Sequence, residues 1–234
     1  MKYAIIAAGE GSRLAQEGVK QPKPLVPLHG VPIIERLIKI FTRHNAESIS
    51  IIINRQQPAT LSHLEDLSKK YPLNIVVKDT PSSMHSLYEI KELLKGSKFC
   101  LTTVDTIFRE EEFDEYIKTF ETSDCNGLMA VTPYIDDEKP LYVGTDEKMN
   151  ITGFYDEPHS DSHHISGGIY GLTDKALDTL TRCIKTGQSR MRNFQRQLIA
   201  DGLKLKAYSF EKIIDIDHAS DIKKAEIFTK HSHL

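Results

Sequence analysis

Short apolar runs rich in Ile, Val and Leu recur along this chain, and between them lie segments whose apolar residues repeat at helical spacing. Regular alternation of the two patterns confines a chain to an α/β sheet covered by helices. Residues 3–8 read as a buried first strand. Residues 32–44 carry Ile33, Ile34, Leu37, Ile38 and Phe41 at 3.6-type spacing behind Pro32, which predicts the first helix. Strands are expected at 48–53, 73–77, 99–104 and 127–132, with helices at 60–71, 82–94 and 110–120 between them. From 133 to about 158 the pattern breaks into short runs around Asp136-Asp137, Gly144, Asp146-Glu147 and Gly153, which predicts a small β-hairpin extension. A strand at 165–172, helices at 173–185 and 190–201, strands at 203–208 and 213–216, and a closing helix from Ser220 complete the expectation. The whole predicts a Rossmann-like, predominantly parallel central sheet flanked by helices. No period of 20–50 residues repeats, and the polar tail His231-Ser232-His233-Leu234 reads as a frayed terminus rather than a metal site.

Composition narrows the function classes. At 234 residues, 39% hydrophobic and 27% charged, the chain can bury a sizeable core, and the absence of a composition break predicts a single domain over 1–234. A net charge of −3 with no dense basic run lacks the footprint of a nucleic-acid binder. Cys100, Cys125 and Cys183 contain no C-x-x-C pair, which argues against a disulfide framework and a zinc knuckle and for a reducing compartment. The first nine residues are too short an apolar run for a signal peptide, and no 18-residue apolar stretch follows. The expected home is therefore cytoplasmic, with no membrane partner and a homo-oligomer left open.

The first strand runs directly into Gly9-Glu10-Gly11-Ser12-Arg13-Leu14, at the carboxyl edge where open α/β sheets bind ligands. Leu14 breaks a dinucleotide G-x-G-x-x-G fingerprint, and no Lys-Ser or Lys-Thr completes a P-loop. Instead Gln21-Pro22-Lys23-Pro24-Leu25 follows, a proline-stiffened segment presenting Lys23. The glycines let backbone N–H groups approach phosphate oxygens, and Arg13 adds a planar fork for phosphate.

These two motifs together, Ala7-Ala8-Gly9-Glu10-Gly11-Ser12-Arg13-Leu14 and Pro22-Lys23-Pro24-Leu25, resemble the nucleotidyltransferases that activate sugar 1-phosphates, and Pro32-Ile33-Ile34-Glu35 continues the likeness. The resemblance extends more weakly through nearly the whole chain. It implies a GT-A-like nucleotidyltransferase fold and a Mg²⁺-dependent enzyme that transfers NMP from an NTP to a sugar 1-phosphate. By resemblance, Ala7, Ala8, Gly9, Gly11, Ser12 and Arg13 hold the nucleotide. Arg13 and Lys23 act in catalysis, Arg13 on the departing pyrophosphate and Lys23 at the α-phosphate.

A Mg²⁺ ion held by one or two carboxylates plus substrate phosphates calls for acids at the sheet edge. Asp105 ends an apolar strand, and Asp215 and Asp217 alternate, hence share one face of a late strand. Family members pair the first acid with one late Asp; Asp215 takes that place most naturally, while Asp215-Ile216-Asp217 also resembles the E-I-D pattern of phosphocholine cytidylyltransferases, which favours Asp217. Ser82 and Ser83 fall where the family recognises base and ribose, and N-capping explains them equally well. Asp156-Glu157-Pro158 stands where the sugar branch has Glu-Lys-Pro, and Ser166-Gly167-Gly168-Ile169-Tyr170 resembles its Gly-x-Tyr strand, so Asp156, Glu157 and Gly168 are assigned to the acceptor. With Glu157 replacing a phosphate-binding lysine, Arg190 and Arg192 at a helix start become the candidate cations for a phosphorylated acceptor. His159, His163 and His164 fit a solvated loop rather than a zinc site. Two alternatives stand beside the sugar enzyme. One is a CTP:phosphocholine cytidylyltransferase-like enzyme whose cage would draw on Tyr142, Phe154, Tyr155 and Tyr170. The other is a non-catalytic nucleotide- or sugar-binding protein.

Overall fold

The computed structural model describes residues 1–136 and 138–230, so Asp137 and the His231–Leu234 tail lie outside the described residues. In chain order the elements begin β1 (Lys2–Ala7), α1 (Ser12–Gln16), a 3-10 turn (Lys23–Leu25), β2 (Pro27–Leu28), β3 (Val31–Pro32), α2 (Ile33–Arg43) and β4 (Ser48–Ile53). They continue α3 (Pro58–Ser68), β5 (Leu73–Val77), α4 (Ser83–Leu94), β6 (Phe99–Thr103), β7 (Thr106–Ile107), α5 (Glu110–Thr122) and β8 (Gly127–Thr132). The remainder is β9 (Tyr142–Thr145), β10 (Ile151–Tyr155), β11 (Ser162–Leu172), α6 (Lys175–Lys185), α7 (Met191–Ala200), β12 (Leu205–Ser209), β13 (Ile214–Asp215) and α8 (Ala219–Phe228).

The central sheet runs β10-β9-β11-β6-β1-β4-β5, with β8 paired to β11 and β12 paired to β8. β5, β4, β1 and β6 are mutually parallel, as are β8 and β12. β11 runs against β6, β8 and β9, so every strand except β10 and β11 points the same way. This is the mostly parallel, helix-flanked sheet that the alternation predicts, and β9 and β10 form the expected hairpin at its end.

Strand periodicity explains the two-sided core. Tyr3, Ile5, Ala7, Ile49, Ile51 and Ile53 face one cluster with α2 and α5. Ala4, Ile6, Ile52, Phe99 and Leu101 face the other with α4, α6 and α7. Because successive strand side chains point to opposite faces, a strand covered on both sides must be apolar throughout, which is why the β1 and β4 runs are nearly continuous.

Several boundaries differ from expectation. α3 spans Pro58–Ser68 rather than 60–71, because Pro58 takes a first-turn position where its missing N–H costs nothing. α1, β7, β2 and β3 were not foreseen; segments of two to five residues are too short to show a period. The expected late strand 213–216 is reduced to Ile214–Asp215 and pairs with β7 in a separate two-stranded ladder, outside the central sheet. The three cysteines are free and buried. No helix among the described residues is long and apolar enough to cross a membrane.

Candidate active site

The carboxyl ends of β1, β4 and β6 open on one edge of the sheet, and three backbone devices bring chemistry to it. The first is the loop after β1. Gly11 has φ +63°, a left-handed backbone, and a Cβ there would stand 3.0 Å from Lys23 Cβ, so glycine serves both the turn and the close approach. The second is the 3-10 turn, which starts at Lys23 between Pro22 and Pro24 and aims the lysine across the loop. The third is the β7–β13 ladder. Asp215 lies opposite Thr106 in it, and Ile216 N–H continues it to Asp105 C=O at 3.1 Å, which leaves Asp217 just past the strand end beside Asp105.

Lys23 Nζ is the point where these devices meet. It donates to Asp105 and, at 2.8 Å, to Asp217 Oδ1. Burial works against the ammonium, but the two carboxylates outweigh it and raise Lys23 well above the ordinary lysine value. Burial likewise opposes the Asp217 charge, yet Lys23, Arg13 and His218 hold its carboxyl below the usual range. Asp215 points elsewhere: Thr106 Oγ1 donates to its Oδ1 at 3.3 Å. Both late acids line one further pocket with Arg13, as strand alternation places them, but of the two it is Asp217 that pairs with Lys23. Among the described residues no group of three or more His, Cys, Asp or Glu is arranged to hold a metal. Asp105 and Asp217, both within reach of one ammonium, are the carboxylate pair that fits a Mg²⁺ ion whose other ligands are phosphate and water.

Besides a pocket lined by Arg13, Asp215, Asp217 and His218, two more flank this centre. One is lined by Ala7, Ala8, Gly9, Glu10, Gly11, Lys23 and Asp105 on one side and by Thr80, Ser82, Ser83 and Ser86 on the other. Ser82 occupies the N-cap position of α4, but its hydroxyl pairs with His85 Nδ1 at 2.9 Å and makes no cap hydrogen bond. N-capping therefore does not account for it. The second pocket is lined by Thr103, Lys139, Ser166, Gly168, Tyr170, Arg190, Arg192, Gln195 and Asp215, and Thr103 belongs to both pockets. Gly168 sits in a bulge of β11: Ser166 faces Val131 of β8, yet Tyr170 faces Met129. Its φ is +74°, and a Cβ would come within 2.9 Å of Thr106 Oγ1. Burial pushes the Tyr170 phenol up to about 12 against a Ser166 hydrogen bond that lowers it, so it stays a hydroxyl.

Arg190 and Arg192 both line this second pocket, Arg190 from an unusual backbone with φ +71°. Arg192 is braced by Asp156, at 2.5 Å, and by the Lys139 carbonyl, at 3.0 Å. Asp156 also pairs with Arg196 at 2.8 Å.

Five expectations differ from where the structure places the residues. Asp156 does not line the second pocket; it pairs with Arg192, which does. Glu157 is exposed beyond β10 and lines neither pocket, because the chain turns outward there. Ser12 and Arg13 do not line the first pocket; they open α1, and Arg13 Nη1 pairs with Asp217 Oδ2 at 3.0 Å in the neighbouring pocket. The aromatic cage does not form: Phe154 is buried, Tyr155 stacks on His159 at 4.2 Å, and of the four candidates only Tyr170 lines the pocket. His163 and His164 lie within β11 rather than in a loop, and His159 pairs with Asp161.

Gln195 joins Ser166 of the Gly-x-Tyr-like strand in the second pocket, and neither carries a role in the sequence reading. Gln195 is 2% exposed and accepts from Ser166 Oγ at 3.3 Å. The clue was available, since Gln195 lies one helical turn after Arg192 and so shares its face.

Residues 2–231 match the family model described as nucleotidyl transferase, and the chain belongs to that family. The bifunctional protein GlmU of Methanococcus maripaludis is 27% identical over 237 residues, covering 96% of this chain and 53% of that protein. The chain thus spans about half the length of the GlmU relatives it matches. A glucose-1-phosphate cytidylyltransferase of Salmonella typhi is 22% identical over 204 residues, 77% of this chain and 78% of the relative. Among solved structures, a putative glucose-1-phosphate thymidylyltransferase from Bacillus anthracis superposes with a TM-score of 0.86 at 16% identity, covering 100% of this chain and 97% of that one. The inositol-1-phosphate CTP transferase from T. maritima gives 0.81 at 16% identity, with the same coverage. At such identities these structures establish a shared fold.

Proposed function

We propose that this protein transfers a nucleoside monophosphate from a triphosphate to a sugar 1-phosphate, releasing pyrophosphate and a nucleoside-diphosphate sugar. The observation that carries this reading is Lys23, set between Asp105 and Asp217 in a pocket that shares Thr103 with the pocket of Arg190 and Arg192. In the reaction an acceptor phosphate oxygen forms a bond to the α-phosphorus as the bond to the β-phosphate oxygen breaks, and the electron pair departs on pyrophosphate. Charge builds on the α-phosphate, where Lys23 stands, and on the leaving group, which Arg13 takes when it exchanges Asp217 for phosphate. Asp105 and Asp217 would hold a Mg²⁺ ion, which when bound would supply neutralisation of phosphate charge. Arg190 and Arg192 hold the acceptor phosphate. Gln195, Ser166 and Asp215 line the same pocket with hydrogen-bonding groups suited to hydroxyls, and without an aromatic cage a quaternary ammonium gains little there. That favours a sugar phosphate over phosphocholine, and an intact cation and carboxylate centre favours turnover over mere binding. The free buried cysteines fit the reducing cytoplasm.

The experiment is a matrix of nucleoside triphosphates against sugar 1-phosphates and phosphocholine, with Mg²⁺, read by pyrophosphate release. Release with a sugar 1-phosphate is expected, and loss of about a hundredfold or more in Asp105→Asn at unchanged circular dichroism. Release with phosphocholine alone overturns the acceptor assignment; no release with any pair, or undiminished release in EDTA, overturns the reaction or its metal requirement.

A further inference from the structure

The loop after β1 is held from behind by two side-chain amides for which the reaction so far has no use. Asn54 follows β4, Gln57 precedes α3, and each is 6% exposed. Asn54 Nδ2 donates to the Ala8 carbonyl at 3.1 Å and to the Gly9 carbonyl at 3.3 Å. Gln57 Nε2 donates to the Gly9 carbonyl at 3.0 Å and to Ala7 at 3.4 Å. Neither amide lines the nucleotide pocket, although Ala8, Gly9 and Glu10 do, so the amides sit on the far side of the loop.

We infer that Asn54 and Gln57 are positioning residues for the triphosphate, turning the loop carbonyls backward so that the Gly9 and Glu10 N–H groups face its oxygens. In a planar trans peptide, C=O of one residue and N–H of the next point in opposite directions. Pinning the Ala8 carbonyl therefore aims Gly9 N–H, and pinning the Gly9 carbonyl aims Glu10 N–H. Among the described residues neither N–H has a protein partner, which is the state of a donor kept for a ligand. The amide orientations are fixed. Asn54 Oδ1 accepts from Gln56 N–H at 2.9 Å, and flipping either amide would set oxygen against carbonyl oxygen. Gln57 Oε1 is left buried without a partner among the described residues, a cost that the fold bears to keep Nε2 on Gly9. Carbonyls free to rotate would instead present negative oxygens to an anion, so the clamp matters for the phosphates and not for the acceptor.

The inference rests on the nucleotide pocket as assigned above, and the test separates the two. Binding of inorganic tripolyphosphate with Mg²⁺ is measured by calorimetry for the wild type and for Asn54→Ala/Gln57→Ala, alongside KM for each substrate and the thermal midpoint. A roughly tenfold or greater weakening of tripolyphosphate and a matching rise in triphosphate KM are expected, with acceptor KM within about twofold. Asn54→Asp, of the same size but unable to donate, weakens binding further. Should the double variant fail to fold, the two single alanine variants are read by the same split. Unaltered tripolyphosphate binding in a folded variant, or an equal rise in both KM values, overturns the clamp. A wild type that binds neither tripolyphosphate nor any nucleoside triphosphate overturns the nucleotide assignment beneath it.

Discussion

The two pockets at this edge, one proposed for the nucleotide and the other for the acceptor, are built from different materials. On the nucleotide side, the loop at the end of a parallel strand lines one wall, shaped by Gly11 and by one lysine on a proline-stiffened turn. On the acceptor side, side chains from antiparallel β11 and from α7 provide it, braced by ion pairs to chain segments far away in sequence, as Asp156 braces Arg192. A backbone site is specified by where glycine must stand; a side-chain site is specified by who supports whom.

The largest effect that can break this contrast is at Lys23. Lys23→Ala is expected to lower kcat about a hundredfold with a small change in thermal midpoint, because it acts on charge and not on packing. With the ammonium gone, Asp105 and Asp217 should also bind Mg²⁺ more tightly in the free protein, which titration calorimetry measures. A variant that unfolds at full specific activity would make the lysine a structural strut. Next comes the bracing pair. Arg192→Ala should raise acceptor KM about tenfold and leave triphosphate KM unchanged, while Asp156→Asn should move it the same way by about threefold, since it loosens the arginine without removing it. Equal effects on both substrates would mean that the two sides are not separable.

The two left-handed glycines sharpen the comparison at a smaller scale. Gly11→Ala and Gly168→Ala each force a side chain into a disfavoured backbone and a crowded space, at about 1 kcal/mol or more of stability. The first should raise triphosphate KM and the second acceptor KM, each measured with the other substrate saturating. The smallest effect is expected from His218, whose pKa is raised by its hydrogen bond to Glu17 and which ties the start of α8 to the end of α1. A raised folded-state pKa contributes stability that is complete below the ordinary histidine value of about 6.5 and is lost as pH climbs through the raised value. The thermal midpoint gap between wild type and His218→Asn should therefore be widest in mild acid and close with increasing alkalinity.

The same contrast explains what the sequence reveals. The strands, most helices and the glycine loop are legible because periodicity and fixed spacing are local properties. Asp105 and Lys23 are legible for the same reason. The choice between Asp215 and Asp217 is not, because it depends on β13 ending after two residues against a two-residue partner that carries no pattern of its own. Asp156 and Glu157 lie beside the right element, but which one faces inward depends on Arg192 and Arg196 arriving from α7 some 40 residues later. Asn54 and Gln57 look like ordinary polar punctuation between a strand and a helix until the loop that they hold is seen lying against them.

β11 has a consequence for the chain as it leaves the ribosome. The parallel block β5-β4-β1-β6 is complete in sequence by Thr103, yet the outer edge of β6 is covered only by residues 169–172 of β11. Until those residues emerge, a nascent chain carries an apolar strand edge open to any other extended segment, its own or a neighbour's. One antiparallel strand inserted between β6 and β8 closes that edge and joins the two halves, so the pairing that protects β6 is among the last that synthesis makes available.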